Sequence, residues 1–433
     1  VGLGNIWRFP TETGENGGAA FLLIYICCIL LLGLPVMLSE FMIGRHAHAN
    51  AATAFEKLAP GKKQWHWIGR LGVVTGTMIL SFYNVVAGWT ANYSVCALGN
   101  GFNRMSESGD PKVFTDYFNS FVTGTYEPVA YLIGFMLLTH IIVVLGVEKG
   151  IERFSKLMMP LLFILLLVLA GCALTMEGAA EGLRFLFQPD FSKIDPGVVL
   201  SAMGQAFFSL SLGIGCLCTY ASYFKEDVNL GKTAFSVAGI DTMVAVIAGI
   251  IIFPAVFSVP GMELVFVALP HIFKDVFGGL PLLSYLVPFL FYFLLVLASL
   301  TSTISMHEVI TAYISEVHHL SRKAAATLVT TICIVLSTLC SLSLGAGSEW
   351  TIGGMMLFDF FDYATAKWML PVGGFFIAIF AGWFLNRQIL WDELTNKGSI
   401  RFYGFKAFLF LLRFVAPLGI LLIFLNELGW LAF

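Results

Sequence analysis

Charged residues are scarce in this sequence of 433 amino acids. Asp, Glu, Lys and Arg make up only 12% of the chain, whereas 58% is hydrophobic and the mean hydropathy is +0.86. A chain of this length and composition cannot cover itself with a polar surface, so a soluble enzyme is excluded. We expect one membrane-embedded unit.

An excess of positive charge is also absent. The 24 Lys and Arg face 27 Asp and Glu, which gives a net charge of −3 and excludes nucleic acid as a partner. The eight cysteines form no metal or disulfide framework, because almost all of them lie inside apolar stretches as small hydrophobes, Cys216 and Cys218 included.

Long apolar runs are the main feature of the sequence. A spanning helix needs about 20 mostly apolar residues, and a short apolar piece at 1–10 is expected to be the remnant of an earlier span, since the start at Val1 resembles neither a signal peptide nor a natural N-terminus. Ten complete spans are predicted near 18–43, 68–99, 126–146, 154–176, 198–224, 233–258, 281–315, 324–343, 353–386 and 404–431.

The distribution of positive charge predicts the orientation. If the loop after the first complete span is cytoplasmic, 17 of the 24 Lys and Arg lie inside, as the positive-inside rule requires. Arg8 then lies on the outer side. The outer loop at 100–125 has neither cysteine nor an Asn-x-Ser/Thr acceptor, and a bacterial plasma membrane is expected.

Two spans carry Gly-x-Gly in mid-membrane, Gly2-Leu3-Gly4 in the remnant and Gly213-Ile214-Gly215 in the fifth complete span. One such motif alone can serve close helix packing. Two of them five spans apart favour two inverted five-helix repeats with broken helices 1 and 6 and a substrate site at the breaks. The predicted units are 1–176, 177–386 and an additional C-terminal helix at 387–433.

Polar residues accompany both breaks. A hydroxyl can simply bond its own helix backbone, whereas a buried carboxylate such as Asp241 costs at least about 2.5 kcal/mol and calls for a cation or a proton. The polar residues of the two breaks and of the neighbouring helices are Asn5, Ser209, Ser211, Asp241, Thr301, Ser302 and Thr303.

Several long motifs resemble the neurotransmitter:sodium symporter family, and within it the bacterial amino-acid transporters. They are VGLGNIWRFP with ENGGAAF, GQAFFSLSLGIGCLCTYASY, GIERFSKLMMP and ASLTSTIS. The resemblance covers the whole chain and implies an all-α membrane protein of about eleven transmembrane helices, the first one partial.

The family's roles, carried to matching positions, imply two sodium sites. One would use the carbonyls of Val1 and Ala298 with the hydroxyls of Thr301 and Ser302. The other would use Asn5, Ser209 and Asp241 with the substrate carboxylate, and oxygen ligands suit such a hard cation.

The resemblance also implies a substrate pocket in which no charged residue faces the side chain of the substrate. Relatives that carry monoamines have an aspartate where this chain has Gly2, so the carboxylate must come from the substrate and neutral, hydrophobic amino acids are favoured. The implied pocket residues are Gly2, Leu3, Gly4, Ile79, Tyr83, Phe208, Ser211, Ile214, Ser302 and Met306.

Chloride-dependent relatives hold the anion at positions that are Tyr25, Gln205, Ser209 and Ala245 here, where Ala245 replaces a serine. The Asp241 carboxylate can supply the negative charge instead. Chloride should not be required.

The resemblance also assigns gate residues on both sides of the pocket. The resemblance implies an outer gate of Arg8 and Asp362 with Glu12 nearby, and an inner carboxylate at Glu316 whose basic partner would precede this chain. Glu40 either caps the break in helix 6 or is an ordinary interfacial carboxylate.

Together these features predict a sodium-coupled symporter that imports neutral amino acids by alternating access. A carrier of another small zwitterionic or carboxylate solute is the alternative hypothesis. An ion channel would need a continuous polar stripe along a span, which is not found. An intramembrane enzyme would need a nucleophile with a base or a metal cluster, and the adjacent His307 and Glu308 point about 100° apart on a helix.

Overall fold

The structure is a computed structural model that describes residues 2–107, 110, 112–145, 148–258, 265–427 and 430, which leaves Val1 outside. Its helices are α1 (Gly4–Arg8 continued by Phe9–Glu15), α2 (Ala19–Ala47), α3 (Ala51–Leu58), α4 (His66–Leu98), α5 (Gly101–Ser106), α6 (Val113–Val122), α7 (Glu127–Leu145), α8 (Glu148–Ala173), α9 (Ala179–Phe187), α10 (Pro196–Ser209), α11 (Cys216–Ala221), α12 (Leu230–Ser258), α13 (Val265–Phe277), α14 (Pro281–Val317), α15 (Arg322–Ser343), α16 (Leu357–Phe384), α17 (Arg387–Thr395) and α18 (Phe405–Leu425). Short 3₁₀ turns cover Lys63–Trp65 and Phe191–Lys193, and an antiparallel hairpin joins β1 (Thr351–Ile352) to β2 (Met355–Met356).

The predicted all-α membrane fold is confirmed. Eight of the described helices are long and apolar enough to span a bilayer, namely α2, α4, α7, α12, α14, α15, α16 and α18. Helix α8 contains a shorter apolar stretch, Met159–Ala173, and α10 with α11 forms the divided span. With α1, these segments follow the predicted succession of about eleven helices.

The last third of the chain departs from prediction at one span boundary. The span expected from residue 353 starts as a helix only at Leu357, because Gly353 and Gly354 have φ of 61° and 82° and form a tight turn between β1 and β2. Glycine tolerates such positive φ, which makes Gly-Gly a hairpin signal.

Wide π-helical turns interrupt α1, α2, α16 and α18. Four of the five in the described chain end just before an Xaa-Pro pair, at Pro10, Pro35, Pro371 and Pro417. Proline has no N–H and its ring collides with the carbonyl four residues earlier. A wider turn removes that collision without ending the helix.

The break between α10 and α11 has a steric cause. Ser211, Gly213 and Gly215 all have positive φ, and a Cβ at Gly213 would lie 2.2 Å from the Leu370 carbonyl oxygen of α16. The Gly-x-Gly motif therefore serves both predicted purposes, since it unwinds the helix and lets α16 approach closely. At the first motif, helical structure begins at Leu3, so only its outer side lies within the described residues.

The unwound segment between α10 and α11 meets the start of α1 inside the bundle. Helices α4, α7, α14 and α15 pack on one another as one group, while α10 and α11 pack along α2, and α12 packs against α1. The unwound segment and the start of α1 thus face α4 and α14. That junction contains the candidate site.

Candidate functional site

The unwound segment, the start of α1 and the facing sides of α4 and α14 enclose one cavity of about 210 Å³. Each predicted substrate residue except Leu3 lines it. The lining residues are Gly2, Gly4, Asn5, Ile79, Tyr83, Phe208, Ser209, Ser211, Ile214, Cys216, Leu217, Tyr220, Ser302, Ser305, Met306 and Leu370.

Hydrogen-bond donors converge at one end of this cavity. The backbone N–H of Leu3 donates to the Tyr83 hydroxyl across 3.3 Å, so Leu3 reaches the site through its backbone while its side chain is buried. A Cβ at Gly2 would lie 3.0 Å from Ser302 Oγ and 3.2 Å from the Tyr83 hydroxyl. Gly2 leaves this end without a side-chain carboxylate and close to two hydroxyls, so the end suits a carboxylate that a ligand brings.

Apolar side chains line the remainder of the cavity. Ile79, Phe208, Ile214 and Met306 are all buried there. The sequence interpretation missed five lining residues: Cys216, Leu217, Tyr220, Ser305 and Leu370. Helical spacing could have identified one of them, because Ser305 lies three residues after the predicted Ser302.

Asp241 forms a buried polar cluster beside the cavity. The Asn5 amide donates to Asp241 Oδ1 at 2.8 Å, to the Asp241 carbonyl at 3.0 Å and to Ser209 Oγ at 3.2 Å, and Ser209 Oγ donates to Asp241 Oδ2. Asp241 is 6% exposed. No lysine or arginine within the described ranges lies at ion-pair distance from it. The contacts to this carboxylate come from the Asn5 amide nitrogen and the Ser209 hydroxyl, while the Asn5 amide oxygen accepts the Gly2 N–H at 3.1 Å. A carboxylate buried within the membrane calls for a cation or a proton as its partner.

The other predicted sodium ligands lie on one turn of α14. Thr301 Oγ1 donates to the Ala298 carbonyl at 2.8 Å, and Ser302 Oγ donates to the same carbonyl at 3.3 Å. These three oxygens are therefore adjacent and fit a hard cation. The predicted Val1 carbonyl lies outside the described residues.

A charged layer closes the cavity on its outer side. The buried Arg8 guanidinium forms two hydrogen bonds with Asp362, of 2.9 and 3.1 Å, and an ion pair of 2.9 Å with Glu12. It also donates to Gln205 and lies 4.8 Å from the centre of the Phe208 ring. Bidentate pairs of this kind are among the stronger polar contacts. The predicted gate partners are in direct contact.

Two carboxylates on the inner side have different surroundings. Glu40 is fully buried and accepts the Gly213 N–H at 2.7 Å, so it caps the break rather than lying at the interface. Glu316 accepts from the Asn50 side chain and, at 3.4 Å, from Thr53. The basic partner that the resemblance implies for Glu316 would precede Val1 and lies outside the described residues.

The positions that hold chloride in relatives also meet here. Tyr25, Gln205 and Ala245 are buried, and Ser209 contacts the Asp241 carboxylate. Gln205 donates to the Gly4 carbonyl at 3.1 Å and thereby joins α10 to α1. His307, considered above as an enzyme candidate, bonds Thr330 at 2.8 Å and Thr311 at 3.0 Å on the far side of α14.

Comparisons with known proteins identify the family of this chain. The chain matches the profile of the sodium:neurotransmitter symporter family over residues 1–104 and 121–431. It is 36% identical over 439 residues to the uncharacterized sodium-dependent transporter YhdH of Bacillus subtilis, which covers 100% of this chain and 95% of that protein. An uncharacterized sodium-dependent transporter of Haemophilus influenzae is 34% identical, with 99% and 94% covered.

A solved structure is similar as well. The crystal structure of MhsT in complex with L-phenylalanine matches with a TM-score of 0.91 and 45% identity, and the match covers 98% of this chain and 95% of that one. The fold, the apolar helices and the bacterial relatives confirm a multi-pass protein of the bacterial plasma membrane. The matched proteins are transporters rather than enzymes, and this chain belongs to the sodium:neurotransmitter symporter family as a sodium-dependent symporter.

Proposed function

We propose that this symporter imports neutral, hydrophobic L-amino acids by alternating access, driven by two sodium ions and without chloride. The observation that carries the proposal is one cavity with an apolar side and a polar end. The apolar side is formed by Ile79, Phe208, Ile214 and Met306, and the polar end is formed by the donors around Tyr83.

The substrate's carboxylate belongs at the polar end. Tyr83, the backbone N–H groups of the α1 start and the positive end of that helix can hold it. The apolar side then receives an uncharged side chain. MhsT, the similar solved protein, is complexed with L-phenylalanine, which supports a hydrophobic amino acid as the substrate class.

Sodium would couple to the substrate through the cluster of Asn5, Ser209 and Asp241. A carboxylate shared between substrate and ion makes each bind better when the other is present. The second ion would use the Val1 carbonyl together with Ala298, Thr301 and Ser302 of α14. Binding there would tie the start of the chain to α14.

Chloride independence rests on the same Asp241. A buried carboxylate already supplies the negative charge that an anion provides elsewhere. The proposal also keeps the two inverted repeats at 1–176 and 177–386, and it is supported by residues of both Gly-x-Gly motifs lining the same cavity. Arg8 and Asp362 would separate to admit substrate, and the region of Glu316 would open to release it.

A competition panel tests the substrate class. Uptake of labelled L-leucine into proteoliposomes under an inward sodium gradient is measured against each of the twenty amino acids in excess, in gluconate. Leu, Ile, Val, Met and Phe should compete well. Strong competition by glutamate or lysine would contradict the apolar pocket, and competition only by a non-amino-acid carboxylate would favour the other solute class.

A further inference from the structure

A second cavity lies at the cytoplasmic ends of α17 and α18, far along the chain from the substrate residues. Its volume is about 790 Å³. Arg387, Gln388 and Trp391 of α17 line one side, and Tyr403, Phe405 and Lys406 at the start of α18 line the other. No acidic residue is among the lining residues described for it.

The charge of this cavity is positive and uncompensated. Arg387 lies over the Phe405 ring at 5.6 Å, and neither Arg387 nor Lys406 forms an ion pair with any acid in the part of the chain that the structure covers. The neighbouring cation Lys397, in contrast, forms an ion pair with Glu226 at 3.0 Å. Asp392 accepts from the Gln388 side chain instead of meeting a cation. The cavity therefore suits an anion.

An apolar stripe continues from the cavity toward the membrane interior. Phe410, Phe414, Leu418 and Leu422 follow Lys406 at four-residue intervals along α18, and they are 58, 42, 54 and 45% exposed. Phe410 and Phe414 contact each other with ring centres 5.7 Å apart. In a bilayer an exposed stripe of this kind faces acyl chains, because no water is present to meet it.

Aromatic residues line the cavity beside its cations. Trp391 is 40% exposed and Tyr403 is 87% exposed. Trp and Tyr are enriched where the bilayer meets water. Cations and aromatic rings therefore share the cavity, and the apolar stripe follows on α18, as acyl chains follow the headgroup in a phospholipid.

We propose that this cavity binds the headgroup of an anionic phospholipid of the inner leaflet, with its acyl chains along the stripe from Phe410 to Leu422. The predicted topology places the cavity on the cytoplasmic side, where basic residues attract anionic lipids. A zwitterionic lipid would bind more weakly, because its own cation already neutralises the phosphate. A soluble phosphate has no acyl chains and would gain no binding free energy from the apolar stripe.

The test is a lipid-binding measurement on the purified full chain, and transport activity does not enter it. Delipidated protein in detergent is titrated with phosphatidylglycerol or with phosphatidylcholine of the same acyl chains, and bound lipid is counted by native mass spectrometry. The variant is Arg387→Gln with Lys406→Gln. The control is Lys232→Gln with Lys323→Gln, two exposed cytoplasmic lysines outside the cavity.

A cation beside the membrane contributes about 1 kcal/mol, a factor of about five. The cavity variant should therefore bind phosphatidylglycerol about 25-fold more weakly than wild type, while the control stays within about twofold. Lys406→Gln alone should lose about fivefold, and it serves if the double variant does not fold. Equal losses in the cavity and control variants would overturn the proposal. Equal binding of the two lipids, or full displacement by millimolar inorganic phosphate, would also overturn it.

Discussion

Replacing Asp241 with asparagine removes one charge from the site and changes its shape little. In the structure, Asp241 accepts from Asn5 at 2.8 Å and from Ser209. Hydrogen bonds to a charged group contribute about 1.5–3 kcal/mol, against about 0.5–1.5 for neutral pairs. If a sodium ion also loses its charged ligand, the total loss of sodium-binding free energy exceeds about 1.4 kcal/mol. The sodium concentration for half-maximal uptake should then rise at least about tenfold.

The assay is uptake of labelled L-leucine into proteoliposomes at increasing sodium, in gluconate. Asp190→Asn is the matched control, because Asp190 also accepts from a serine, at 2.6 Å from Ser192 Oγ, but lies in an exposed loop. The hydrogen bonds from Ser192 lower the pKa of Asp190, so this control also removes a full charge at neutral pH. Wild-type sodium dependence in Asp241→Asn would refute the role of Asp241 as a ligand.

The chloride argument is tested by Asp241→Ser. Its uptake should be weak in gluconate and partly restored by chloride, because the anion returns the missing charge to a site lined by Gln205 and Ser209. Wild-type uptake should be the same in both salts. If Asp241→Ser still binds substrate and chloride makes no difference, Asp241 is not the counter-charge.

Substitutions at three further positions address the pocket, the break and the gate. Ile214→Phe should shift competition toward smaller amino acids by about 1–3 kcal/mol per methylene of the substrate side chain, and an unchanged competition panel would remove Ile214 from the pocket. Glu40→Ala leaves the buried Gly213 N–H without its acceptor, which costs about 1–3 kcal/mol. The thermal midpoint should fall, Glu40→Gln should recover most of it, and equal midpoints for all three proteins would contradict the cap. Arg8→Lys loses the bidentate contact with Asp362, so the maximal uptake rate should fall about tenfold while sodium-dependent substrate binding persists. An unchanged rate would show that this pair is not a gate.

Hydrophobic length predicted most of the fold. The span expected at 68–99 is the helix His66–Leu98, and the span expected at 281–315 is Pro281–Val317, because about 20 apolar residues in a membrane have few alternatives to a helix. Short elements between the spans were not predicted. Helix Val265–Phe277, most of which is buried, depends on packing, and the hairpin at Gly353-Gly354 depends on turn geometry, rather than on length.

The π-helical turns show a local signal that sequence reading could have used. A proline inside an apolar run predicts strain in the preceding turn, and four such prolines, Pro10 and Pro35 among them, follow a π turn here. One of these turns contains Asn5 and Arg8. The proline thus sets the local geometry of two proposed functional residues.

The polar contacts of the site depended on tertiary structure. The glycine motifs located the cavity, yet the sequence could not choose between a cap and an interfacial role for Glu40, because that choice depends on where α2 passes the break. Gln205 illustrates the same limit. Its amide joins the Gly4 carbonyl and Arg8, and two contacts some 200 residues away along the chain have no local signature.

Coupled uptake tests the central claim most directly. Proteoliposomes containing the purified protein are given labelled L-leucine and L-phenylalanine under an inward gradient of sodium gluconate or choline gluconate. The account predicts accumulation above the external concentration with sodium and none with choline, and unlabelled substrate should abolish it. Equal uptake in choline, or no uptake of either amino acid by protein that is folded and correctly inserted, would contradict a sodium-driven carrier of hydrophobic amino acids.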